Sequence, residues 1–290
     1  MTEPPDPMAA FDALLPRAMA QRAEDVGVRK AGLGVLETFT LAVLAGAFIG
    51  LGGVFSTTVV AGTADALPYG VQRLLAGSSF SLGLILVLVG GAELFTGNAM
   101  MVMAWASRRI RLRALLRNWG IVFLGNAVGA VATAWMVFQS GQHHFGHGAV
   151  GRAALKIAAS KQDHEFVAAF VLGVLCNALV CLAVWSSFSA RSTIDRIAAV
   201  VLPVTAFVAA GFEHSIANLY FVPLGLMLRA DPGCAELVAS SGLGESLARL
   251  TIGDFLLANL LPVTFGNLIG GAVLVASTYW VIYLRPRRDH

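Results

Sequence analysis

The sequence is poor in charged residues. Only 13% of its 290 residues are Asp, Glu, Lys or Arg, and 57% are hydrophobic, whereas soluble domains carry roughly 25% charged residues. This composition argues against a soluble domain and predicts an integral membrane protein. Residues 1–30 hold no basic stretch followed by an apolar run, so we do not expect a cleavable signal peptide. Insertion is expected to use the first membrane helix.

Motifs for redox, metal or cofactor chemistry are also scarce. Cys176 and Cys181 lie five residues apart in an apolar segment, and no CxxC motif or disulfide framework is present. The histidine cluster at 143, 144 and 147 has no adjacent cysteine or acid to complete a metal site. No metal and no cofactor are therefore predicted. A membrane enzyme built on Glu213 and His214 stays a weaker alternative, because no nucleophile with its base accompanies that pair.

The charges are gathered into short clusters that separate long apolar runs. Runs of this length can cross a bilayer core of about 30 Å. Six crossings are predicted, at residues 38–62, 77–106, 119–140, 166–188, 197–228 and 255–284. The second and the fifth are too long for one crossing and contain polar interruptions.

The distribution of basic residues predicts the orientation. With six crossings both termini lie on one side, and 14 of the 20 Lys and Arg residues fall on that side. Because basic residues favour the cytoplasmic side, both termini are predicted to be cytoplasmic, in the cytoplasmic (inner) membrane. The five arginines within 108–117 are interpreted as a topology anchor and not as a nucleic-acid site.

The N-terminal segment is predicted to be amphipathic. Apolar residues recur there at near-helical spacing, at Met8, Phe11, Leu14, Leu15 and Met19. We therefore divide the chain into a cytoplasmic amphipathic segment (1–30), a six-helix transmembrane domain (31–284) and a cytoplasmic tail (285–290).

An internal repeat predicts the architecture. The segment 91–98, Gly-Ala-Glu-Leu-Phe-Thr-Gly-Asn, recurs at 211–218 as Gly-Phe-Glu-His-Ser-Ile-Ala-Asn. Downstream, 118–126 matches 259–267, and upstream, 41–47 resembles 172–178. Three crossings per repeat is an odd number, so the second copy must enter from the opposite face. The sequence predicts an all-α protein with an inverted 3+3 repeat and interrupted second and fifth helices, an arrangement typical of transporters.

These segments resemble the formate/nitrite transporter family. The similarity is carried by 211–218, by Glu-Leu-Phe-Thr at 93–96, by Asn-Leu-Leu-Pro-Val-Thr-Phe-Gly-Asn from 259, and by Tyr-Trp-Val-Ile-Tyr-Leu-Arg from 279, which most resembles bacterial formate channels. The resemblance implies an aquaporin-like bundle and a homopentamer with one pore per protomer. It also implies a channel or transporter for a small monovalent anion, with formate first and nitrite, hydrosulfide or acetate as alternatives.

The resemblance also implies roles for individual residues. The pore centre would comprise His214 and Thr96, with Asn177 and Asn267 nearby and Lys161 at the periplasmic vestibule. The periplasmic constriction would comprise Phe80, Leu84 and Phe207, and the cytoplasmic constriction would comprise Leu94, Phe95 and Val180. One departure bears on the substrate: Gly97-Asn98 follows Thr96 where many formate channels carry Ser-Thr, and Thr-Gly is typical of nitrite and other branches.

The residue chemistry suggests a mechanism. A charged group at mid-bilayer costs about 2.5–3.5 kcal/mol even on favourable insertion scales. Half-helix N-termini and Lys161 would attract the anion, and His214 would donate and recover a proton. Glu93 and Glu213 are expected to cap the half-helices by accepting unpaired backbone N–H groups. A water or glycerol channel is disfavoured because paired Asn-Pro-Ala motifs are absent.

Overall fold

The computed structural model describes residues 13–64 and 66–286, and all regular elements within these ranges are helical. The helices, in chain order, are α1 (Pro16–Gly32), α2 (Val35–Val60), α3 (Tyr69–Gly90), α4 (Phe95–Asn98), α5 (Val102–Ala106), α6 (Leu112–Gln139), α7 (Ala149–Ser160), α8 (Phe166–Ser189), α9 (Thr193–Ala209), α10 (Ser215–Ala230), α11 (Ala235–Ser240), α12 (Gly244–Ala248) and a C-terminal helix over Ile252–Tyr283.

Several of these helices are suited to a bilayer. The helices α2, α3, α6, α8 and the C-terminal helix are long and apolar enough to cross a membrane. Large apolar side chains stand on the outside of the bundle, among them Leu202 (76% exposed), Val167 (70%) and Leu124 (62%). An apolar exterior of this kind is stable against lipid or another subunit and not against water. The prediction of an all-helical membrane protein is confirmed.

Backbone-to-backbone packing holds two pairs of long helices together. A Cβ atom added at Gly129 of α6 would lie 2.0 Å from the carbonyl oxygen of Val43 on α2. In the same way, a Cβ atom at Gly270 of the C-terminal helix would lie 2.1 Å from the carbonyl oxygen of Val174 on α8. Small residues permit this approach, which is the usual way in which membrane helices pack.

Both predicted interruptions are present. The backbone leaves the helix between α3 and α4, at residues 91–94, and between α9 and α10, at residues 210–214. Each break contains a left-handed glycine, Gly91 at φ +73° and Gly211 at φ +77°, a conformation that costs glycine little. We call these two segments the first break and the second break.

The helix boundaries differ from the predicted ones. The second crossing begins at Tyr69 and not at residue 77, and α6 begins at Leu112 and not at residue 119. The added turns carry Arg73, Arg113 and Arg117, whose charges lower the local hydropathy although their backbone is helical. The prediction also missed α7, because Arg152 and Lys156 lower the mean hydropathy of this short helix although its buried stripe is continuous.

The N-terminal helix α1 packs on the bundle. Its Met19 is buried in a cluster with Met101 and Trp185, and Arg22 donates to the carbonyl of Phe188 at 3.0 Å. Within the predicted amphipathic pattern, Leu15 is exposed; Met8 and Phe11 lie outside the described residues.

Candidate functional site

The two breaks are anchored by the same backbone contacts. In the first break the Glu93 N–H donates to the carbonyl of Leu41 on α2 at 3.2 Å, and in the second break the Glu213 N–H donates to the carbonyl of Leu172 on α8 at 3.3 Å. The first break is therefore attached to α2, and the second break is attached to α8.

Two asparagines satisfy the backbone groups that the breaks leave unpaired. Asn126 accepts the Phe95 N–H at 2.8 Å and donates to the carbonyls of Ala42 (2.7 Å) and Glu93 (2.8 Å). Asn126 is fully buried, so these three bonds replace water that cannot reach the break.

Asn267 does the same in the second break. It accepts the Ser215 N–H at 2.9 Å and donates to the carbonyls of Gly173 (2.8 Å) and Glu213 (2.9 Å). Asn267 therefore caps backbone groups on both sides of His214, the carbonyl of Glu213 and the N–H of Ser215.

The two glutamates do not make the bonds that we expected. Glu93 accepts hydrogen bonds from the side-chain ammonium of Lys30 (2.8 Å) and from the side-chain amide of Asn98 (2.7 Å), and no backbone N–H is bonded to its carboxylate in the described chain. The expectation of backbone capping by these acids is not met, because the asparagine at 126 already takes that N–H. Glu93 instead fixes side chains around the break.

Glu213 has a matching set of partners. Its carboxylate accepts Lys161 at 2.6 Å, Asn218 at 2.7 Å and Asn259 at 3.2 Å. Only 1% of its side chain is exposed, so the lysine compensates a charge that would otherwise be costly to bury.

Sequence reasoning missed Lys30, the partner of Glu93. Lys30 also donates to the side-chain oxygen of Asn98 at 2.7 Å. A signal for it was available: Lys30 stands five residues before the start of α2 at Val35, and Lys161 stands five residues before the start of α8 at Phe166. Extending the internal repeat upstream would have paired the two lysines.

The histidine and the threonine of the predicted centre lie in contact. The Nε2 atom of His214 is 3.1 Å from the hydroxyl oxygen of Thr96, and both side chains are buried. His214 is also the N-cap of α10, where its Nδ1 atom accepts the Ala217 N–H at 3.1 Å. Because Nδ1 is an acceptor, the proton of this neutral ring is on Nε2, which donates to Thr96.

Asn177 connects α4, which follows the first break, to Asn267, which caps the second break. Its amide donates to the carbonyl of Thr96 at 3.1 Å and to the carbonyl of Asn267 at 2.6 Å. The first half carries Gly46 at the matching position, and a Cβ atom there would lie 2.1 Å from the backbone carbonyl oxygen of Asn126. The extra amide is thus a feature of one half alone.

A cavity of about 660 Å³ leads to the histidine. We call it the wide cavity. Its walls come mainly from the start of α3 and from α7, and Lys161 and His214 both line it. Phe80 and Phe207 lie at the same end as His214: their ring centroids are 6.1 Å apart, and the Phe207 ring is 6.0 Å from the histidine ring. This aromatic group forms an apolar floor.

A smaller cavity of about 80 Å³ lies beside the first break and is lined by Lys30, Leu84, Leu94 and Asn98. We call it the narrow cavity. Leu84 therefore does not join Phe80 and Phe207 as predicted; it lies one helical turn farther along α3, on the same helix face, and lines the same cavity as Leu94.

Two further constriction residues line neither cavity. Phe95 and Val180 are both buried, with 4% and 1% of their surface exposed. The Phe95 ring packs edge-on against Phe123 at 5.1 Å. Both residues belong to the packed interior around the first break.

The histidine cluster after α6 is part of the packed loop. The ring of His143 stacks on Phe138 at 5.5 Å and lies 4.1 Å from the ring of His144. No group of three or more His, Cys, Asp or Glu side chains converges on a metal position within the described ranges.

Comparison with known proteins agrees with this arrangement. The family model described as formate/nitrite transporter matches residues 17–281. The chain is 47% identical over 282 residues to the formate channel FocA of Escherichia coli strain K12. This alignment covers 97% of the present chain and 98% of the channel.

Two solved structures are also similar. A pentameric formate channel with formate bound superposes with a TM-score of 0.80 at 42% identity, covering 87% of this chain and 98% of the other. An FNT family ion channel superposes with a TM-score of 0.75 at 26% identity, covering 91% and 98%. The chain belongs to the formate/nitrite transporter family.

Proposed function

We propose that this chain is a pH-dependent channel or transporter for small monovalent anions of weak acids, with formate as its main substrate. The contact between Thr96 and His214 carries the proposal, because it joins α4, which follows the first break, to the second break, where His214 lines the wide cavity. Support comes from the 47% identity to the Escherichia coli formate channel and from the likeness to a pentameric formate channel with formate bound.

The proposed architecture has six crossings in two inverted halves. The first half comprises α2, α3 with α4–α5, and α6; the second comprises α8, α9 with α10, and the C-terminal helix. The matching bonds of Asn126 and Asn267 support this division. We further propose a homopentamer in the cytoplasmic membrane with one pore per protomer and with both termini on the cytoplasmic side, as the basic residues favour.

Recruitment is the first step of the proposed mechanism. The anion enters the wide cavity, whose lining includes Lys161 and the residues at the start of α10. A helix N-terminus carries partial positive charge and favours an anion. Lys161 is paired with Glu213 at 2.6 Å, so its contribution is a polarised hydrogen-bond donor and not a free charge.

Desolvation is the second step. The rings of Phe80 and Phe207 offer no hydrogen bond to replace water around the anion, and a charge in such surroundings is strongly disfavoured. A neutral acid passes this floor far more easily than its anion, so protonation near His214 determines which species crosses.

His214 has a defined constraint on its protonation. Its Nδ1 accepts the Ala217 N–H, so a second proton on the ring requires that this cap bond opens. A proton from water in the wide cavity then binds Nδ1 and makes the ring an imidazolium cation. Transfer of the Nε2 proton to a formate oxygen gives neutral formic acid and returns the ring to the neutral form, with its remaining proton on Nδ1. The first turn of α10 is thereby coupled to the proton transfer that we assign to His214.

Flux measurements in proteoliposomes test this role. His214→Phe removes both ring nitrogens and should abolish pH-dependent formate flux. His214→Asn is the sharper variant, since asparagine is a good N-cap but does not titrate; it should keep the fold and lose the pH dependence. Unchanged pH-dependent flux in both variants would exclude histidine as the proton donor.

Nitrite transport is the second candidate, and the sequence Thr96-Gly97-Asn98 favours it. Competition of nitrite, hydrosulfide and acetate against labelled formate in the same vesicles ranks these substrates. Vesicle swelling without any response to formate would instead support a water or glycerol channel.

A further inference from the structure

The wide cavity is unusually basic. Four cationic side chains line it, Arg73, Arg152, Lys156 and Lys161, and none of its described lining residues is an aspartate or glutamate. By contrast, the narrow cavity has Lys30 as its one charged residue among those described. An anion near the wide cavity therefore meets positive charge from several directions.

Two of the four cations are already compensated within the protein. Lys161 pairs with Glu213 at 2.6 Å. Arg73 donates to the carbonyl of Ala209 at 3.1 Å and also to the carbonyl of Val208, at the C-terminal end of α9. Cations are stabilised at the C-terminal end of a helix, so the carbonyl groups at the end of α9 compensate the charge of Arg73.

The remaining two cations have no carboxylate partner among the residues that the structure describes. Arg152 makes one hydrogen bond, from Nη1 to the carbonyl of His147 at 3.1 Å, and Lys156 has neither a hydrogen bond nor an ion pair among the described residues. They stand at i and i+4 on α7, where like charges face each other and destabilise a helix. A bound anion would remove this repulsion.

We propose that Arg152 and Lys156 form a binding site for a small divalent oxyanion of the dicarboxylate class in the wide cavity. Side chains at i and i+4 start about 5–6 Å apart, so they can each meet one carboxylate of the same ligand. A monovalent anion would leave one of the two charges without a partner.

The same ligand cannot follow formate through the pore. One proton neutralises a monovalent anion but leaves a dianion charged, and the apolar floor at Phe80 and Phe207 disfavours a charge. The divalent anion therefore stays in the wide cavity and inhibits transport from that face. The inhibition rests on the proposed function, whereas the binding does not.

Binding is measured on the purified full-length protein in detergent, by isothermal titration calorimetry with oxalate and with acetate as the monovalent comparison. Oxalate should bind more tightly than acetate, and Lys156→Ala should weaken oxalate by about tenfold, a factor that corresponds to about 1.4 kcal/mol. Lys156 is exposed and makes no bond to the residues that the structure describes, so this variant should fold normally. Lys156→Arg should retain binding.

Arg249→Ala provides the matched control, because Arg249 is also exposed but does not line the wide cavity. It removes the same net charge and should leave oxalate affinity unchanged. Equal oxalate affinity in the wild type and Lys156→Ala, or equal weakening in Arg249→Ala, would overturn the site.

Formate flux with oxalate on the face of the wide cavity separates the two proposals. Inhibition that Lys156→Ala relieves supports both. Normal formate flux without oxalate binding removes the oxyanion site alone, and oxalate binding without any formate flux removes the proposed function alone.

Discussion

In the first break Glu93 accepts Lys30 at 2.8 Å and Asn98 at 2.7 Å, and in the second break Glu213 accepts Lys161 at 2.6 Å and Asn218 at 2.7 Å. The residues that follow the two glutamates are different, since Leu94 stands where the second break has His214. The contacts of glutamate with lysine and asparagine are thus present at both breaks, whereas a titratable residue follows the glutamate only in the second break. Each broken helix needs its own set of supporting contacts, but one reactive centre is enough for the pore.

The breaks also differ in how completely their asparagines are bonded. The side-chain oxygen of Asn98 accepts Lys30, whereas the side-chain oxygen of Asn218 has no partner within the described residues. Asn218 lines the wide cavity. Lys30 therefore bonds both Glu93 and Asn98 beside the first break, whereas the buried side-chain oxygen of Asn218 beside the second break has no partner among the described residues.

Removing each lysine tests whether the two frameworks are energetically equal, and it should give the largest effect. Lys161→Met leaves Glu213 buried without its cation and should lower the free energy of unfolding by about 3–5 kcal/mol. Lys30→Met should cost less, because 23% of the Lys30 side chain is exposed against 16% for Lys161. Thermal unfolding of the purified variants in detergent measures both.

The control for this comparison removes the acid as well. Adding Glu213→Gln to Lys161→Met eliminates the unpaired charge and should recover part of the lost stability. If the double variant is no more stable than Lys161→Met, the buried charge is not the source of the loss.

Two glycines test whether the halves pack equally closely. Gly129→Ala and Gly270→Ala each bring a Cβ atom to about 2 Å from a backbone oxygen of the neighbouring helix, and overpacking of this kind costs typically about 1–3 kcal/mol. Gly120→Ala in the same α6 meets no atom within 4 Å and should be neutral or stabilising, because alanine is the better helix former. A neutral result at either close contact would contradict the packing.

The central pair offers a test of the chemical asymmetry. Thr96→Val removes the hydroxyl that faces His214, and an orphaned buried N–H costs about 1–3 kcal/mol, so formate flux should fall by about tenfold. Thr96→Ser should retain flux. Ile216, which occupies the place of Thr96 in the other half, gives the control: Ile216→Val should change stability slightly and leave the pH dependence of flux unaltered.

The repeated glycine, glutamate and asparagine predicted both breaks, because a polar motif that recurs in register within two apolar segments indicates the same interruption of the helix in both. The same reasoning missed Lys30, whose partner is 63 residues away along the chain, since a single basic residue before an apolar run resembles a topology signal. Helix α7 was missed because Arg152 and Lys156 depress its hydropathy. Leu84 was misassigned because family likeness specifies a face of α3 but not how far along it each cavity extends.

The loop between the two halves should give the smallest effect and a pH dependence of its own. Burial, and then the neighbouring His144, lower the pKa of His143 below its usual 6.5, while Asp231 acts in the opposite direction. The folded loop therefore favours the neutral ring, and its contribution to stability is complete above the usual pKa. As pH falls below about 6.5 the unfolded chain binds a proton first, so stability decreases until the lowered pKa is passed. The thermal midpoint should fall by no more than about 4 °C between about pH 7.5 and about pH 5.5, and His143→Phe, which can still stack on Phe138, should reduce this fall. An identical fall in wild type and His143→Phe would assign the pH dependence to other groups.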